Sequence, residues 1–232
     1  MEVPRRRGLR LLQPLAYRSK RGRQIHISRR GEEIMHHTQI LQGDSFQLLE
    51  GFKDDFFDYC LTSPYFKDED VKKECNMEYW PWFDKLIELL SRKVRKVAFI
   101  FQSSTKIIEM IMRYNQWVRR ILVWGKDPSR YAYRYEPIFV FLFDKDFKVN
   151  KYLFKDFWRL PSILGNSKSY ANPPKLYKEI IMLLPPGRII DPFAGTGTLG
   201  LACRGLNHEV YLIDKKLIKI AKPLLNYVVK ER

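Results

Sequence analysis

Apolar positions along this chain fall into short runs separated by polar turns, and their spacing switches repeatedly between the period of a strand and that of a helix. Gln39 to Gln42 predicts a strand that stops at Gly43-Asp44-Ser45, and Phe46, Leu48 and Leu49 predict a brief helix behind it. Phe56 to Leu61 predicts a second strand, ending in Thr62-Ser63-Pro64-Tyr65-Phe66. A long amphipathic helix is expected from about Tyr79 through Ser91, then a buried strand Val97 to Phe101 and a helix around Lys106 to Tyr114. Val118 to Trp124 and Pro137 to Phe143 read as two strands whose proximity favours an antiparallel pair. Trp158 to Asn172 shows no regular period, and Pro173-Pro174 opens a helix with Leu176, Ile180, Ile181 and Leu184 on one face.

The most informative stretch is Arg188 to Gly200, where the short strand Ile189-Ile190 runs into a turn of small residues and then a helical pattern of Leu199, Leu201, Ala202 and Leu206. That is how a nucleotide-shaped ligand is received at the carboxyl end of a strand. Gly195, Gly197 and Gly200 match GxGxxG, and Asp214 follows at the end of a further strand, Val210 to Ile213, where the dinucleotide fingerprint wants an acid. A dinucleotide domain would need further strand-helix units, yet only one helix, Lys215 to Val229, is expected after Asp214. The rest of the sheet therefore comes from earlier in the chain. The expected fold is a single α/β, Rossmann-like domain with a mostly parallel seven-stranded sheet, an antiparallel edge hairpin and a circularly permuted order.

With 232 residues and 45% hydrophobic composition, one good-sized core is the expectation. The net charge of +16 changes the picture, because such an excess suits a polyanion, most naturally nucleic acid. Much of it lies in residues 1–37, where nine arginines precede the first run of acids, and this segment reads as a flexible basic arm ahead of a domain spanning 38–232. A transit peptide, or a true start at Met35, are the other readings of that segment. Cys60, Cys75 and Cys203 have no metal-ligand spacing and read as reduced, mostly buried thiols. His26, His36, His37 and His208 show no ligand pattern, so no metal is expected. No apolar run reaches the ~18 residues of a membrane span, and a cytoplasmic protein is the expectation.

Two stretches together, Asp191-Pro192-Phe193-Ala194-Gly195-Thr196-Gly197-Thr198 and Thr62-Ser63-Pro64-Tyr65-Phe66, resemble the permuted, β-type amino-methylating DNA methyltransferases, with the cytosine-N4 class the nearest. In that family the catalytic motif precedes the cofactor motif, as Ser63 precedes Phe193. Tyr135-Glu136-Pro137 and the Gly43-Asp44 strand end are similar to further motifs, so the resemblance runs from about Gln39 to Leu225. It implies a restriction-modification type DNA methyltransferase with S-adenosyl-L-methionine as cofactor and a base flipped from duplex DNA as substrate.

The resemblance implies roles for single residues. Asp191, Phe193, Gly195, Gly197 and Thr198 would form the loop around the methionine end of the cofactor. Asp214 would take the ribose hydroxyls, and Asp44 with the backbone of Ser45 would hold the adenine edge. The plain alternative for both aspartates is a turn or a helix cap. Ser63 and a carbonyl at Pro64 would orient an exocyclic amine for in-line attack on the sulfonium methyl, while Tyr65 or Phe66 stacks on the base. The plain alternative for Ser-Pro after a strand is a turn. The chain departs from the family in having Tyr65 where a second proline is usual, so a register starting at Thr62 is the alternative. A Ser at the first position points to cytosine, whereas an Asp would point to adenine. The space for target recognition is short, leaving it to the Lys67 to Glu78 loop, to Lys145, Lys148, Lys151 and Lys155, or to a second subunit in a homodimer. Methylation of adenine N6 or of RNA, and a catalytically inactive nucleic-acid-binding relative, are the competing expectations.

Overall fold

The computed structural model describes residues 38–126, 135–148, 155–160 and 170–215, together with the short strands at 24–27 and 163–164. Strands β1 (Gln24–Ile27) and β2 (Thr38–Gln42) precede α1 (Ser45–Glu50), β3 (Phe57–Thr62), α2 (Asp68–Cys75), α3 (Tyr79–Lys93) and β4 (Val94–Phe101). A 3-10 turn at Ser104–Lys106 leads into α4 (Ile107–Tyr114), β5 (Val118–Gly125), β6 (Tyr135–Leu142) and β7 (Phe157–Arg159). The small strands β8 (Ile163–Leu164) and β9 (Tyr170–Ala171) pair with each other outside the main sheet. Next come α5 (Pro174–Ile181), β10 (Gly187–Asp191), α6 (Thr198–Ala202) and β11 (His208–Asp214). The helix expected from Lys215 to Val229 lies outside the described residues.

Among the described residues, nine strands form the main sheet in the order β1-β2-β11-β10-β3-β4-β6-β5-β7. The run from β2 to β4 is parallel. β6 is antiparallel to both β4 and β5, so the expected hairpin is present. It is not the edge, however, because β7 adds in parallel beyond β5. At the other end β1, from within the segment read as an arm, lies antiparallel to β2. Both extra strands are too short to show a period of two, which is why the count rose from the expected seven. The stretch Lys67 to Glu78, read as a loop, contains α2. Its first turn carries Asp68, Glu69 and Asp70, which complement the helix dipole, and Asn76 closes it at φ 52°.

Strand alternation divides the core into two layers. On β4, Val97, Phe99 and Phe101 join Tyr59, Leu61, Leu122, Trp124 and Ile138 under α5 and α6. Ala98 and Ile100 face the opposite way, with Phe57, Cys60 and Phe139, under α1, α3 and α4. Helix α3 fits that second layer because Trp82, Phe83, Leu86, Ile87, Leu89 and Leu90 repeat at helical spacing and are all buried. Both layers stop at the carboxyl ends of β2, β11, β10 and β3.

Candidate active site

The two motifs met in the sequence come together at that edge. Because β10 lies beside β3, the Thr62 hydroxyl donates to the Asp191 carboxylate at 2.7 Å, 129 residues away along the chain. The same Asp191 oxygen accepts the Phe193 N–H at 3.0 Å. Asp191 is only 2% exposed, and burial pushes its carboxyl up to about 7 against the pull of those two donors. It stands behind the glycine turn and joins it to the end of β3.

The turn is held from other sides as well. Ala194 N–H donates to the Ile213 carbonyl at 2.9 Å, and Gly195 N–H donates to Asp214 Oδ2 at 2.8 Å. The Ser45 hydroxyl donates to the Pro192 carbonyl. Gly195 and Gly197 have φ of +52° and +76°, a left-handed backbone that favours glycine, and Gly197 caps the N-terminus of α6. Thr198, in the first turn of α6, is buried, with its hydroxyl 3.2 Å from that of Thr196.

In front of the turn lies a cavity of about 220 Å³. Ser63, Pro64 and Tyr65 form one part of its wall, Pro192, Phe193 and Gly195 another, and Asp44, Ser45 and Asp214 a third. All of these belong to stretches singled out in the sequence, and the fold gathers them around one space. Four other residues expected in the site do not line it. Asp191 and Thr198 are buried behind the turn, Gly197 belongs to the helix cap, and Phe66 packs against the core layer under α5 and α6. These four, expected around the ligand, lie outside the set of residues that line the cavity.

Four side chains in the wall went unnoticed in the sequence as site residues: Phe46, Glu74, Cys75 and Lys215. Glu74 and Cys75 come from α2, which gave no clear apolar period. Lys215 follows Asp214 directly, a hint the sequence did contain. The Lys215 ammonium donates to the Glu74 carbonyl at 3.2 Å and stands 3.6 Å from Asp44 Oδ2. Asp44 also caps α1, accepting from Phe46 N–H at 3.0 Å and Gln47 N–H at 3.2 Å. The plain reading of Asp44 as a helix cap therefore holds alongside its place in the wall.

The wall carries three carboxylates, Asp44, Glu74 and Asp214, against one ammonium, Lys215. In a chain of net charge +16 this is a local acidic site, suited to a ligand with cationic and hydroxyl donors. Apolar faces accompany the acids. Phe193 lies 5.6 Å from Trp82 and 6.0 Å from Tyr65 between ring centroids, so two rings of the wall rest on a buried indole. Burial raises the Tyr65 phenol above its ordinary range, which keeps it neutral. A sulfonium cation beside such ring faces gains cation–π attraction, and an adenosine finds both acceptors and apolar surface. The donor set thus fits S-adenosyl-L-methionine. Among the described residues no cluster of His, Cys, Asp and Glu could hold a metal ion, and no helix is long and apolar enough to cross a membrane.

Comparison with known proteins agrees with the fold. The cytosine-N4-specific PvuII DNA methyltransferase superposes with a TM-score of 0.70 at 16% identity, over 84% of this chain and 88% of that one. The M1.HpyAVI–SAM complex gives 0.58 at 23% identity, over 78% and 95%. TTHA0409 of Thermus thermophilus, complexed with S-adenosyl-L-methionine, gives 0.59 at 15% identity, over 82% and 95%. No curated protein matches in sequence. The N6/N4 DNA methylase family matches residues 57–222, a span that holds Ser63, the glycine turn and Asp214. With more than half of its length in that match, the chain belongs to the amino-methylating DNA methylase family.

Proposed function

We propose that the protein transfers the methyl group of S-adenosyl-L-methionine to N4 of a cytosine flipped out of a specific site in duplex DNA, as the modification enzyme of a restriction-modification pair. The observation that carries this is the division of labour at the end of β3. Thr62 is buried and its hydroxyl is committed to Asp191, while Ser63, the next residue, lines the cavity together with Phe193. This favours the register that begins at Ser63. Its hydroxyl is a neutral acceptor, enough to orient an amine whose lone pair must turn toward the methyl but not to take a full proton. The Pro64 carbonyl is the second acceptor. Tyr65, which shares the cavity with them, is better placed than Phe66 to stack on the base.

In this reading Asp214 accepts from the ribose hydroxyls while holding the Gly195 N–H, since a carboxylate offers about four acceptor positions. Asp44 and the Ser45 backbone face the adenine edge, and Phe193 and Gly195 lie along the methionine portion. Residues 1–37 contribute phosphate contacts through their arginines. When bound, the cofactor supplies an electrophilic methyl, and every other task falls to the chain: holding the amine in line, excluding water and sheltering the sulfonium.

The test is to incubate the protein with labelled S-adenosyl-L-methionine and mixed-sequence DNA, then digest to nucleosides. Label on N4-methylcytosine is expected. Label on N6-methyladenine would keep the site and overturn the base, and label only on RNA would overturn the substrate.

Asp44 separates its two tasks by substitution. Asp44→Ala is expected to cost about 1 kcal/mol of stability through the lost cap, whereas Asp44→Ser keeps the cap. Both are expected to weaken S-adenosyl-L-methionine binding measured by calorimetry. Wild-type affinity in Asp44→Ser would confine Asp44 to capping.

A further inference from the structure

The carboxyl edge of the sheet offers a path for DNA that places a base at Ser63. Toward β11 and β2 that edge is taken by the cavity described above, which leaves the other direction, over β4, β6, β5 and β7. Large apolar side chains are exposed there. Tyr135, the first residue of β6, is 42% exposed, and Phe157, the first of β7, is 56% exposed.

The registers put both on one face of the sheet. Tyr135 lies opposite Gly125 on β5, and Gly125 lies opposite Arg159 on β7. Phe157, two residues before Arg159, shares its face, while Trp124, Glu136 and Trp158 point the other way into the core. Gly125 has a specific reason to be glycine. A Cβ there would sit 2.7 Å from Phe157 Cζ, so the missing side chain is what lets the ring lie across β5. Tyr135, the Phe157 ring and the exposed Arg159 thus form a continuous aromatic and basic strip.

Strand order also sets its distance from the site. At ~4.8 Å per strand, β6 is about 10 Å and β7 about 19 Å from β3. With a rise of ~3.4 Å per nucleotide, that corresponds to roughly three to six steps from the target base. Gln102 ties β6 to the Tyr65 loop: its N–H donates to the Pro137 carbonyl at 3.1 Å and its side-chain amide donates to the Tyr65 carbonyl at 3.4 Å.

We propose that the Tyr135–Phe157–Arg159 strip is a DNA-binding surface that stacks on unpaired bases roughly three to six steps from the flipped nucleotide, an inference that rests on the methylase reading of the Ser63 site. Rings bind any base by its face, and the guanidinium adds a phosphate contact, so the strip supplies affinity for opened DNA rather than sequence choice. The sign of charge agrees, in a chain of net +16.

The experiment is fluorescence anisotropy of the full chain with two labelled DNAs of mixed sequence, one an intact duplex and one with a short single-stranded gap. Phe157→Ala and Tyr135→Ala should each weaken binding to the gapped DNA about tenfold or more and to the intact duplex less, with S-adenosyl-L-methionine binding unchanged. Gly125→Ala should reproduce the loss with Phe157 still present, by pushing its ring off β5. Unchanged affinity for gapped DNA in both aromatic variants overturns the proposal, as does an equal loss on the two DNAs. The wild-type nucleoside assay reports separately on the Ser63 reading: no methylated base there, with the Phe157→Ala loss intact, would sink the methylation and leave the surface standing.

Discussion

Replacing Ser63 by alanine is expected to lower the rate of methyl transfer by on the order of 10²–10³, the usual effect of losing one oriented hydrogen bond at a reacting centre. Binding of S-adenosyl-L-methionine should persist, because the cavity loses one hydroxyl from its wall and keeps Asp44, Phe193, Gly195 and Asp214. Thr62→Ala is the informative partner. Its hydroxyl donates to a buried carboxylate, so its removal is expected to act on stability, at about 1–3 kcal/mol for the group left unsatisfied. The measurement is single-turnover transfer at saturating cofactor, beside urea unfolding of both variants. A fully active Ser63→Ala, with a folded but inactive Thr62→Ala, would move the amine site to Thr62.

The second large effect is a pH dependence of stability that originates at Asp191. Its carboxyl is raised by burial to about 7 in the folded protein, against ~3.9 in an unfolded chain. Below pH ~4 both states hold the proton and the group contributes nothing. Between pH ~4 and ~7 the unfolded chain has released a proton that the folded chain keeps, so stability falls as pH rises; above ~7 the loss is complete. A gap of that size between the folded and unfolded chains corresponds to on the order of 4 kcal/mol. Asp191→Asn removes the titration, while its amide oxygen can still accept from Thr62 and Phe193. Urea unfolding from pH 4 to 8 is expected to show a fall in wild-type stability that Asp191→Asn lacks. Parallel profiles would mean that Asp191 ionises like an ordinary surface carboxylate. The same titration bears on the site, because the Asp191 oxygen fixes both the end of β3 and the start of the glycine turn.

Much of the fold was legible because its central strands and α3 are long enough to show their period. Val97 to Phe101 and the run from Tyr79 read clearly. The short pieces were not legible. β7 has three residues, and α2 buries only Val71, so neither produces a pattern against its neighbours. Membership of the methylase family was carried by two local motifs, which are contiguous in sequence and need no long-range contact to be recognised.

What the sequence determined by itself is therefore what local chemistry determines: strand and helix periods, the left-handed turns that call for Gly195 and Gly197, the excess of positive charge, and the two motifs. Only the tertiary structure decided which members of those motifs share a cavity. Thr62 and Ser63 are neighbours with similar hydroxyls, yet one is committed to Asp191 and the other faces the cavity. Tyr65 and Phe66, both half-buried, divide between the two core layers, Tyr65 under α1, α3 and α4 and in the cavity wall, Phe66 under α5 and α6. The reason is physical. Which hydroxyl is buried depends on where β10 packs against the end of β3, and that contact joins residues more than a hundred positions apart.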